Sequence, residues 1–316
     1  MRAMVYHNYG SPDVLELQEI EKPIIKDNEV LVKVHAASVN WLDWHFLTGT
    51  PFLARLMAGL LKPKNKVLGI DVAGRVEAVG ANVTQFQPGD EVFGSSSDGC
   101  FAEYVCVSEE GVVTKPANLT FEEVAAVPGA ACPALQALRD HGQIQPGQKV
   151  LINGASGGVG TFAVQITKSF GAEVTGVCST RNLELVRSIG ADQVVDYSQE
   201  DFTQTGECYD LIFDVVAKRS FSDCRRALKP QGIYVTTAFS PVLALGGLWK
   251  SMTGNQKMVP LPPKPPSKTD LAFMKELLEA RKVTPTIDRR YSLSELPDAL
   301  RYLEKGHARG KVVITV

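Results

Sequence analysis

The chain has 316 residues, of which 44% are apolar and 22% are charged, as in ordinary globular proteins of about two domains. Its formal net charge of −2, without a basic block interleaved with aromatic residues, argues against nucleic acid as a partner. No apolar run approaches about 18 residues and no basic-then-apolar leader opens the chain, so we expect neither a membrane span nor a targeting peptide. The 6 cysteines form no C-x-x-C pair, which favours reduced thiols in a cytoplasmic protein over a zinc knuckle.

The first third of the chain predicts short strands joined by turns. Arg2 to Tyr6 is the first predicted strand, and the next, Val30 to Ala36, alternates apolar and polar residues. Gln87-Pro-Gly-Asp90 predicts a turn between further strands. These further strands are Val67 to Val79, Glu91 to Phe93 and Ala102 to Val107. Together they predict a β-rich module.

Helices and strands alternate from Phe121 onward. The predicted strands are Lys149 to Asn153, Glu173 to Cys178, Gln193 to Asp196, Tyr209 to Val216 and Gly232 to Thr237. The predicted helices are Ala134 to His141, Gly158 to Phe170, Leu183 to Ile189 and Phe221 to Leu228. Strands separated by amphipathic helices predict an α/β domain with a doubly wound parallel sheet.

The segment Ala155-Ser-Gly-Gly-Val-Gly160 follows the first of these strands and has the most informative pattern in the chain. It matches a dinucleotide fingerprint with Ala at the first glycine position. Glycines let a backbone approach a diphosphate closely, and a helix start offers free N–H groups and a positive dipole end. The alternative is a plain strand–turn–helix of an unrelated α/β domain. We expect cofactor contacts from Ala155, Ser156, Gly157, Gly158 and Val159.

The residues after the second strand of this unit predict which coenzyme binds. Enzymes that prefer NAD place Asp or Glu there, whereas this chain has Ser179, Thr180 and Arg181 and offers no carboxylate. Two hydroxyls and a guanidinium suit a 2′-phosphate, so we expect NADP(H) rather than NAD(H). The alternative is that Arg181 only faces solvent at a helix start. Tyr197, after the third strand, is a further candidate for the adenosine end.

The alternation breaks between Ser240 and Ser267. Pro241 to Trp249 is apolar and forms either a lid over the substrate or a packed surface loop. A short strand, Lys257 to Leu261, is expected to close the sheet. The last predicted elements are the helix Leu271 to Arg281, the segment Ile287 to Tyr291, the helix Leu296 to Glu304 and the strand Lys311 to Val316. We expect a β module at 1–122, a cofactor domain at 123–268, and at 269–316 the last cofactor-domain helix followed by a return to the β module.

Eight short stretches, spread in order along nearly the whole chain, carry a family resemblance. They are Ala37-Ser-Val-Asn-Trp-Leu-Asp43, Leu68-Gly-Ile-Asp-Val-Ala-Gly-Arg-Val-Glu77, Gln87-Pro-Gly-Asp-Glu-Val92, Gly99-Cys-Phe-Ala-Glu-Tyr-Val105, Ala125-Ala-Val-Pro128, the fingerprint, Gly190-Ala-Asp192 and Gly310-Lys-Val-Val-Ile314. In them the chain resembles the zinc-free quinone oxidoreductase, or enone reductase, branch of the medium-chain dehydrogenase/reductase superfamily. The resemblance implies a GroES-like catalytic domain carrying both chain ends and a Rossmann domain inserted into it. It also implies a cleft between the domains for nicotinamide and substrate, and a homodimer joined through the cofactor domains.

The resemblance also predicts that no metal is bound. Zinc alcohol dehydrogenases carry Cys at the position of Asn40, His-Glu at Ile70-Asp71 and a Cys near Gly129, and none of these ligands is present here. A catalytic zinc needs about three converging ligands. Zinc-free relatives often have a cofactor-contacting Thr where this chain has Pro133, a residue that suits the first turn of a helix.

Without a Lewis acid, the resemblance implies hydride transfer from NADPH to a small-molecule quinone or to the C=C of an α,β-unsaturated carbonyl compound. Asn40 is expected to orient the nicotinamide or to donate to the substrate carbonyl, where negative charge develops. His45 is expected to donate a hydrogen bond or a proton, the alternative being an ordinary surface histidine. Two other functions remain open: a zinc-free alcohol dehydrogenase, and a non-catalytic NADPH-binding protein similar to crystallins.

Four further residues are candidates for cofactor contacts. Val215, Ala238 and Phe239 follow strand ends and are expected to face the nicotinamide. Lys311, near the C-terminus, either reaches a phosphate or caps a loop.

Overall fold

The computed structural model of the chain describes residues 1–237, 255–262 and 264–316. The strands, in chain order, are β1 (Arg2–Val5), β2 (Glu16–Glu19), β3 (Glu29–Val39), β4 (Asp71–Val79), β5 (Glu91–Ser95), β6 (Tyr104–Ser108), β7 (Val112–Thr114), β8 (Lys149–Asn153), β9 (Glu173–Cys178), β10 (Gln193–Asp196), β11 (Tyr209–Asp214), β12 (Leu228–Thr236), β13 (Lys257–Pro260), β14 (Ile287–Ser292) and β15 (Lys311–Thr315). The described α-helices are α1 (Trp41–Thr48), α2 (Phe52–Ala58), α3 (Phe121–Ala125), α4 (Pro128–Leu135), α5 (Gly158–Ser169), α6 (Leu183–Ser188), α7 (Phe221–Cys224), α8 (Lys268–Glu279) and α9 (Leu296–Glu304). Ala238, Phe239 and the segment Pro241 to Trp249 lie outside the described residues.

The chain divides by its internal contacts into two compact units. Unit 1 consists of Met1–Ala130, Pro265–Glu279 and Pro285–Val316. Unit 2 consists of Ala131–Lys264 and Ala280–Thr284, so its sequence is inserted into that of unit 1.

Unit 1 is built on a seven-stranded sheet in the order β14-β15-β3-β4-β5-β7, with β6 also paired to β3. The long strand β3 organises the sheet because it pairs antiparallel with β4, β6 and β15. Its residues Val30, Val32 and Val34 are buried, as the alternation predicted, in an apolar core that includes Leu296 and Leu300 of α9. β1 and β2 form a separate two-stranded sheet.

Unit 2 is built on a six-stranded sheet in the order β10-β9-β8-β11-β12-β13. Every strand pair in it is parallel. This is the doubly wound order of dinucleotide-binding domains, and it confirms the predicted fold class. α5 packs against β8 and β9, and α6 packs against β9 and β10. The sheet therefore brings the carboxyl ends of β8, β9 and β11 to one edge.

Two predicted helices have different limits in the structure. The helix predicted at Ala134 to His141 is instead α4, which starts at Pro128, followed by a π-helical segment, Gln136–His141. Pro133 therefore lies inside a helix and not in its first turn. Because proline has no N–H, it cannot make the helical hydrogen bond at this position, and a π-helical segment follows it. The helix predicted at Phe221 to Leu228 ends at Cys224 and continues as a 3-10 turn, Arg225–Ala227, because Leu228 already belongs to β12, where it pairs with Tyr209.

No helix in the described part of the chain combines the length and the hydropathy that crossing a membrane requires.

Candidate functional site

A sharp turn joins β8 to α5, and three glycines in it have different roles. Gly154 has a φ of +88°, and a Cβ there would lie 2.6 Å from Val216 Cγ2. A Cβ on Gly160 would lie 2.0 Å from the carbonyl oxygen of Gly154, so Gly160 lets the helix pack close to the turn. A Cβ on Gly157 would meet only that oxygen, at 3.5 Å, so the fold itself does not require glycine there. The open side of Gly157 suits the close approach of a ligand to backbone.

The predicted contact residues around Gly157 fall into two groups. Gly157 is the N-cap of α5, and Gly158 and Val159 begin the helix, half-buried, where N–H groups have no partner within the helix. Ala155 and Ser156 are buried instead. The Ala155 N–H donates to the Val177 carbonyl at 3.0 Å, so this residue supports the turn.

A buried amide ties the turn to the end of β9. Asn182 Nδ2 donates to Ser156 Oγ at 2.9 Å and to Ser179 Oγ at 3.3 Å. Ser156 is thus held in place by a residue that the sequence interpretation did not single out. The turn is preorganised before any ligand arrives.

The structure brings the other predicted adenosine-site residues together at the ends of β9 and β10. Ser179 is half-buried, and Thr180 and Arg181 are exposed in a 3-10 turn. Tyr197 is exposed, and its N–H donates to the carbonyl of Cys178, the last residue of β9, at 3.0 Å.

The residues that follow β9 hold no carboxylate, but the neighbouring strand places one beside them. Asp196, at the end of β10, accepts a hydrogen bond from Thr180 Oγ1 at 2.5 Å. It also accepts from the N–H and the hydroxyl of Ser198, at 3.0 and 2.7 Å. The bond from Thr180 is the largest cause that lowers the pKa of Asp196. The sequence interpretation missed it because Asp196 belongs to the neighbouring strand.

The end of β11 is fixed by a buried carboxylate. Asp214 Oδ1 accepts hydrogen bonds from Asn153 Nδ2 at 2.8 Å and from the N–H groups of Val216 and Ala217 at 3.0 and 2.8 Å. Its Oδ2 accepts from the Tyr234 hydroxyl at 2.7 Å, and burial raises the pKa of that phenol. These bonds join the ends of β8, β11 and β12.

Val215 lies at this junction, half-buried, and its N–H donates to the Asn153 carbonyl at 3.1 Å. Its placement beside the glycine turn agrees with a strand-end position. Its predicted neighbours Ala238 and Phe239 lie outside the described residues.

A second cluster lies in unit 1, where β3, β4 and β15 end side by side. Asp71, fully buried, accepts hydrogen bonds at Oδ2 from Ser38 Oγ at 2.5 Å and from Asn40 Nδ2 at 2.9 Å. Lys311, also buried, donates from Nζ to Asn40 Oδ1 at 2.5 Å and to the Val39 carbonyl at 3.2 Å. Its ammonium lies 3.5 Å from Asp71 Oδ2. Burial lowers the pKa of Lys311, while the charges of Asp71 and Asp43 oppose that shift.

This arrangement changes the roles expected for Asn40 and Lys311. The Asn40 amide gives its two N–H donors to Asp71 and, at 3.3 Å, to the Ser38 carbonyl. Its oxygen already accepts from Lys311, so one lone pair remains for a ligand. Lys311 has all its named partners within unit 1, where it holds Asn40 and balances Asp71.

The residues at the zinc-ligand positions do not fit a metal. The Gly129 N–H donates to Asp71 Oδ1 at 2.7 Å, and a Cβ on Gly129 would lie 2.8 Å from Asn40 Oδ1 and from Asp71 Oδ1. There is no room for a thiolate side chain at that position, and the Lys311 ammonium already occupies this group of oxygens. Among the described residues, no three His, Cys, Asp or Glu side chains are grouped as a metal site.

Asp43 supports this cluster from the first turn of α1. Its Oδ2 accepts from the Asn40 N–H at 2.8 Å, so it satisfies a backbone donor at the start of the helix. Burial raises the pKa of Asp43 to about 7, and the charge of Asp71 adds to that shift. Its Oδ1 is buried without a hydrogen-bond partner, so nothing at that oxygen offsets the cost of burying the charged form.

His45 lies two residues further along α1 and is half-buried. Its Nδ1 is 2.6 Å from the Thr50 carbonyl oxygen, an acceptor, so Nδ1 carries the proton. Nε2 of the neutral ring is then an acceptor, and His45 donates from Nε2 only as imidazolium.

The six-stranded parallel sheet with a glycine turn after its first strand, together with a β-rich unit that carries both chain ends, defines a dinucleotide-binding dehydrogenase or reductase. Residues 26–117 match the family model of the alcohol dehydrogenase GroES-like domain. Residues 189–314 match the model of the zinc-binding dehydrogenase domain. The chain belongs to the medium-chain dehydrogenase/reductase superfamily, in its quinone oxidoreductase branch.

Individual relatives match over the whole length. The mitochondrial NAD(P)H oxidoreductase RTN4IP1 of Mus musculus is 36% identical over 100% of this chain and 89% of its own. The 2-methylene-furan-3-one reductase of Solanum lycopersicum is 35% identical over 99% of this chain and 79% of its own. The solved quinone oxidoreductase of Coxiella burnetii has 32% identity and a TM-score of 0.90, over 100% of this chain and 99% of its own.

Sequence reasoning missed several residues that shape these sites. The positive φ of Gly154 was not foreseen, although glycine directly after a strand is a usable signal for a tight turn. Asn182, Asp196 and Asp214 were missed because each has a partner on a different element of the fold, namely Ser156, Thr180 and Asn153. Asp71 was considered only as a metal ligand, and its pairing with Lys311 was not foreseen.

Proposed function

We propose that the chain is a zinc-independent, NADPH-dependent reductase of quinones or of the C=C bond of α,β-unsaturated carbonyl compounds. The observation that carries the proposal is the Asn40–Asp71–Lys311 cluster, in which an ammonium lies among the oxygens at the zinc-ligand positions. A saturated alcohol or simple ketone needs a Lewis acid or a strong donor to react, whereas quinones and enones are already electron-poor. The names of the Solanum lycopersicum and Coxiella burnetii relatives support the same substrate classes.

The glycine turn of unit 2 fits a nicotinamide dinucleotide. Gly157, Gly158 and Val159 offer open backbone and the N-terminal end of α5 for its diphosphate. When bound, the coenzyme supplies a hydride. The Asp214 network and Val215 fix the strand ends next to this turn.

We propose NADP(H) as the coenzyme because Arg181, Ser179 and Thr180 together suit a 2′-phosphate. The negative charge of Asp196 disfavours a second anion, such as a 2′-phosphate, close to it. Its oxygens, however, already accept hydrogen bonds from Thr180 and Ser198, so the carboxylate is directed into the turn that follows β10. The cationic Arg181 is then the group that selects the phosphate.

In unit 1, Lys311 and Asp71 hold the Asn40 amide in one orientation and leave its oxygen one lone pair for the coenzyme or the substrate. His45 is the proposed proton donor, from Nε2 of its imidazolium form. Asn40 is thus a positioning acceptor, and the donor to the developing oxyanion must be another group or water.

A substrate panel tests the proposal. The purified chain is given NADPH or NADH with quinones, enones and, in the oxidised direction, saturated alcohols, and its zinc content is measured. We expect turnover with quinones or enones, no alcohol oxidation, and activity that a chelator does not change. One zinc per chain with chelator-sensitive alcohol oxidation contradicts the proposal, and tight NADPH binding without any turnover favours the non-catalytic alternative.

A homodimer and a cytoplasmic location remain predictions. In support of a dimer, β13 is the last strand of the parallel sheet in the described chain, and a second copy can extend that edge. Light scattering of the purified chain tests the dimer, and imaging of a tagged chain tests the location.

A further inference from the structure

The apolar side chains of α2 face solvent, whereas its cationic residue, Arg55, faces the protein. The exposed side chains include Phe52, Leu56 and Met57, with 64%, 57% and 58% of their surface accessible. Ala54 is buried, and Arg55 turns inward, where it donates to the Gly49 carbonyl at 3.2 Å. This is the reverse of the orientation expected for a helix on the surface of a water-soluble protein.

The exposed apolar surface continues beyond the helix. We call it the α2 face, and it consists of Phe52, Leu53, Leu56, Met57, Leu60 and Leu61. Leu61 alone has 88% of its surface accessible. Single exposed apolar residues need no explanation, but six large ones within ten positions form a contiguous patch.

The α2 face is held in place by the rest of unit 1. The Tyr9 hydroxyl donates to the Gly59 carbonyl, and the Arg55 guanidinium lies 4.8 Å from the centre of the Tyr9 ring. The Lys64 N–H donates to the Ala58 carbonyl at 2.8 Å, and Asn65 Nδ2 donates to the Ser97 carbonyl at 2.6 Å. The exposed leucines thus sit on an ordered support.

The segment of sequence that carries the α2 face has charges of one sign only. From Trp44 to Ile70 the sequence contains Arg55, Lys62, Lys64 and Lys66 and no Asp or Glu, in a chain whose net charge is −2. The three lysines are exposed, and none has an ion pair among the described residues. Apolar side chains beside unpaired lysines complement a surface that is anionic outside and apolar beneath.

We propose that residues 52–66 dock this protein on the surface of an anionic lipid bilayer. The α2 face inserts among the acyl chains near the headgroups, and Lys62, Lys64 and Lys66 lie against lipid phosphates or carboxylates. The association is peripheral and does not depend on the proposed reductase activity. If that activity holds, the docked protein meets quinones that are dissolved in the membrane.

Vesicle binding by the full chain tests the proposal. The probes are vesicles of phosphatidylcholine alone and of phosphatidylcholine with about a third phosphatidylglycerol, with binding measured by flotation. We expect binding to the anionic vesicles that weakens with salt. Leu60→Ser with Leu61→Ser should reduce the partition coefficient about tenfold or more. Lys62→Gln, Lys64→Gln and Lys66→Gln together should reduce it about a hundredfold and remove the preference for anionic lipid.

Matched controls separate this surface from general stickiness. Ile24→Ser removes an apolar side chain with 90% of its surface accessible elsewhere in unit 1. Lys282→Gln with Lys305→Gln removes exposed lysines outside the patch. Both controls should bind vesicles like the unchanged chain. Turnover of a water-soluble quinone, if the protein is a reductase, should be the same in the leucine variant.

Any one of five outcomes would overturn the proposal. Two of them concern the unchanged chain: it does not bind anionic vesicles, or it binds neutral vesicles equally well. The others concern the leucine variant, Leu60→Ser with Leu61→Ser, which would bind anionic vesicles as the unchanged chain does, would dissociate an oligomer, or would show a raised KM for the soluble quinone. A dissociated oligomer would assign the α2 face to a second copy, and a raised KM would assign it to the substrate site.

Discussion

Replacing Lys311 with Met is the most direct test of the buried cluster in unit 1. Methionine keeps most of the apolar volume of the lysine stem but removes the charge that faces Asp71 and the donor to Asn40. Asp71 then remains fully buried with three neutral donors and no cation. Removing one partner of a buried ion pair costs about 3–5 kcal/mol, because the remaining charge is uncompensated.

Urea unfolding followed by tryptophan fluorescence measures this cost. Trp41 and Trp44 lie in α1 beside the cluster, so a Trp249→Phe background makes the signal report unit 1. With a urea slope of about 3 kcal/mol per M, the Lys311→Met midpoint should fall by about 1 M or more. As a control, Lys26→Met breaks an exposed pair with Glu29 and should cost less than about 1 kcal/mol.

The double variant decides whether charge balance is the cause. Asp71→Asn removes the stranded carboxylate, so adding it to Lys311→Met should recover about 2 kcal/mol relative to the sum of the single costs. Two single costs that simply add would refute the reasoning, because they would show that Lys311 and Asp71 stabilise unit 1 separately. A Lys311→Met cost below about 1 kcal/mol would refute it as well.

Three other predictions address the carboxyl of α1, the coenzyme and the glycine turn. Folding raises the pKa of the Asp43 carboxyl from 3.8 to about 7. The protonated carboxyl therefore stabilises the folded state fully below pH 3.8, and this stabilisation is lost as the pH rises to about 7. The loss should amount to about 3 kcal/mol between about pH 4.5 and 7.5, and Asp43→Asn should abolish this difference in urea titrations at those two pH values. Arg181→Ala should raise KM for NADPH about tenfold or more while changing KM for NADH little. Asp196→Asn should not raise KM for NADPH. Equal increases in KM for both coenzymes in Arg181→Ala would contradict the assignment of Arg181 to the 2′-phosphate. Gly157→Ala should keep the stability of the unchanged chain but weaken coenzyme binding in calorimetry, whereas Gly160→Ala should lose stability, because its Cβ would lie 2.0 Å from a backbone oxygen. Normal coenzyme affinity in Gly157→Ala would place the diphosphate elsewhere.

The local parts of this fold were predictable from sequence. The apolar strand before Gly154 and the glycine spacing after it fixed β8, the turn and the start of α5, because their interactions lie within a few residues. The wrong helix limit near Pro133 arose because the proline was placed by its preference for a first turn. In the structure, α4 starts five positions earlier and includes it.

The pairings that shape the sites were not predictable, since strand register sets them. In the β3–β15 pair, Val39 lies opposite Val312, which puts Lys311 next to Asn40. In the β3–β4 pair, Ser38 lies opposite Asp71. A shift of one residue in either register would turn these side chains to the other face of the sheet. No single-sequence pattern specifies which residues of distant strands face each other.

The partners of Lys311 also limit the chemistry available in unit 1. A lysine ammonium has three N–H donors, and here three oxygens surround it: Asn40 Oδ1, the Val39 carbonyl and, at 3.5 Å, Asp71 Oδ2. A catalytic metal keeps a coordination position open for substrate, whereas this cation has its donors directed at the protein. It therefore fixes Asn40 but does not polarise a carbonyl. The proposed substrates must accept a hydride without such help, and quinones and enones meet that requirement whereas simple ketones do not.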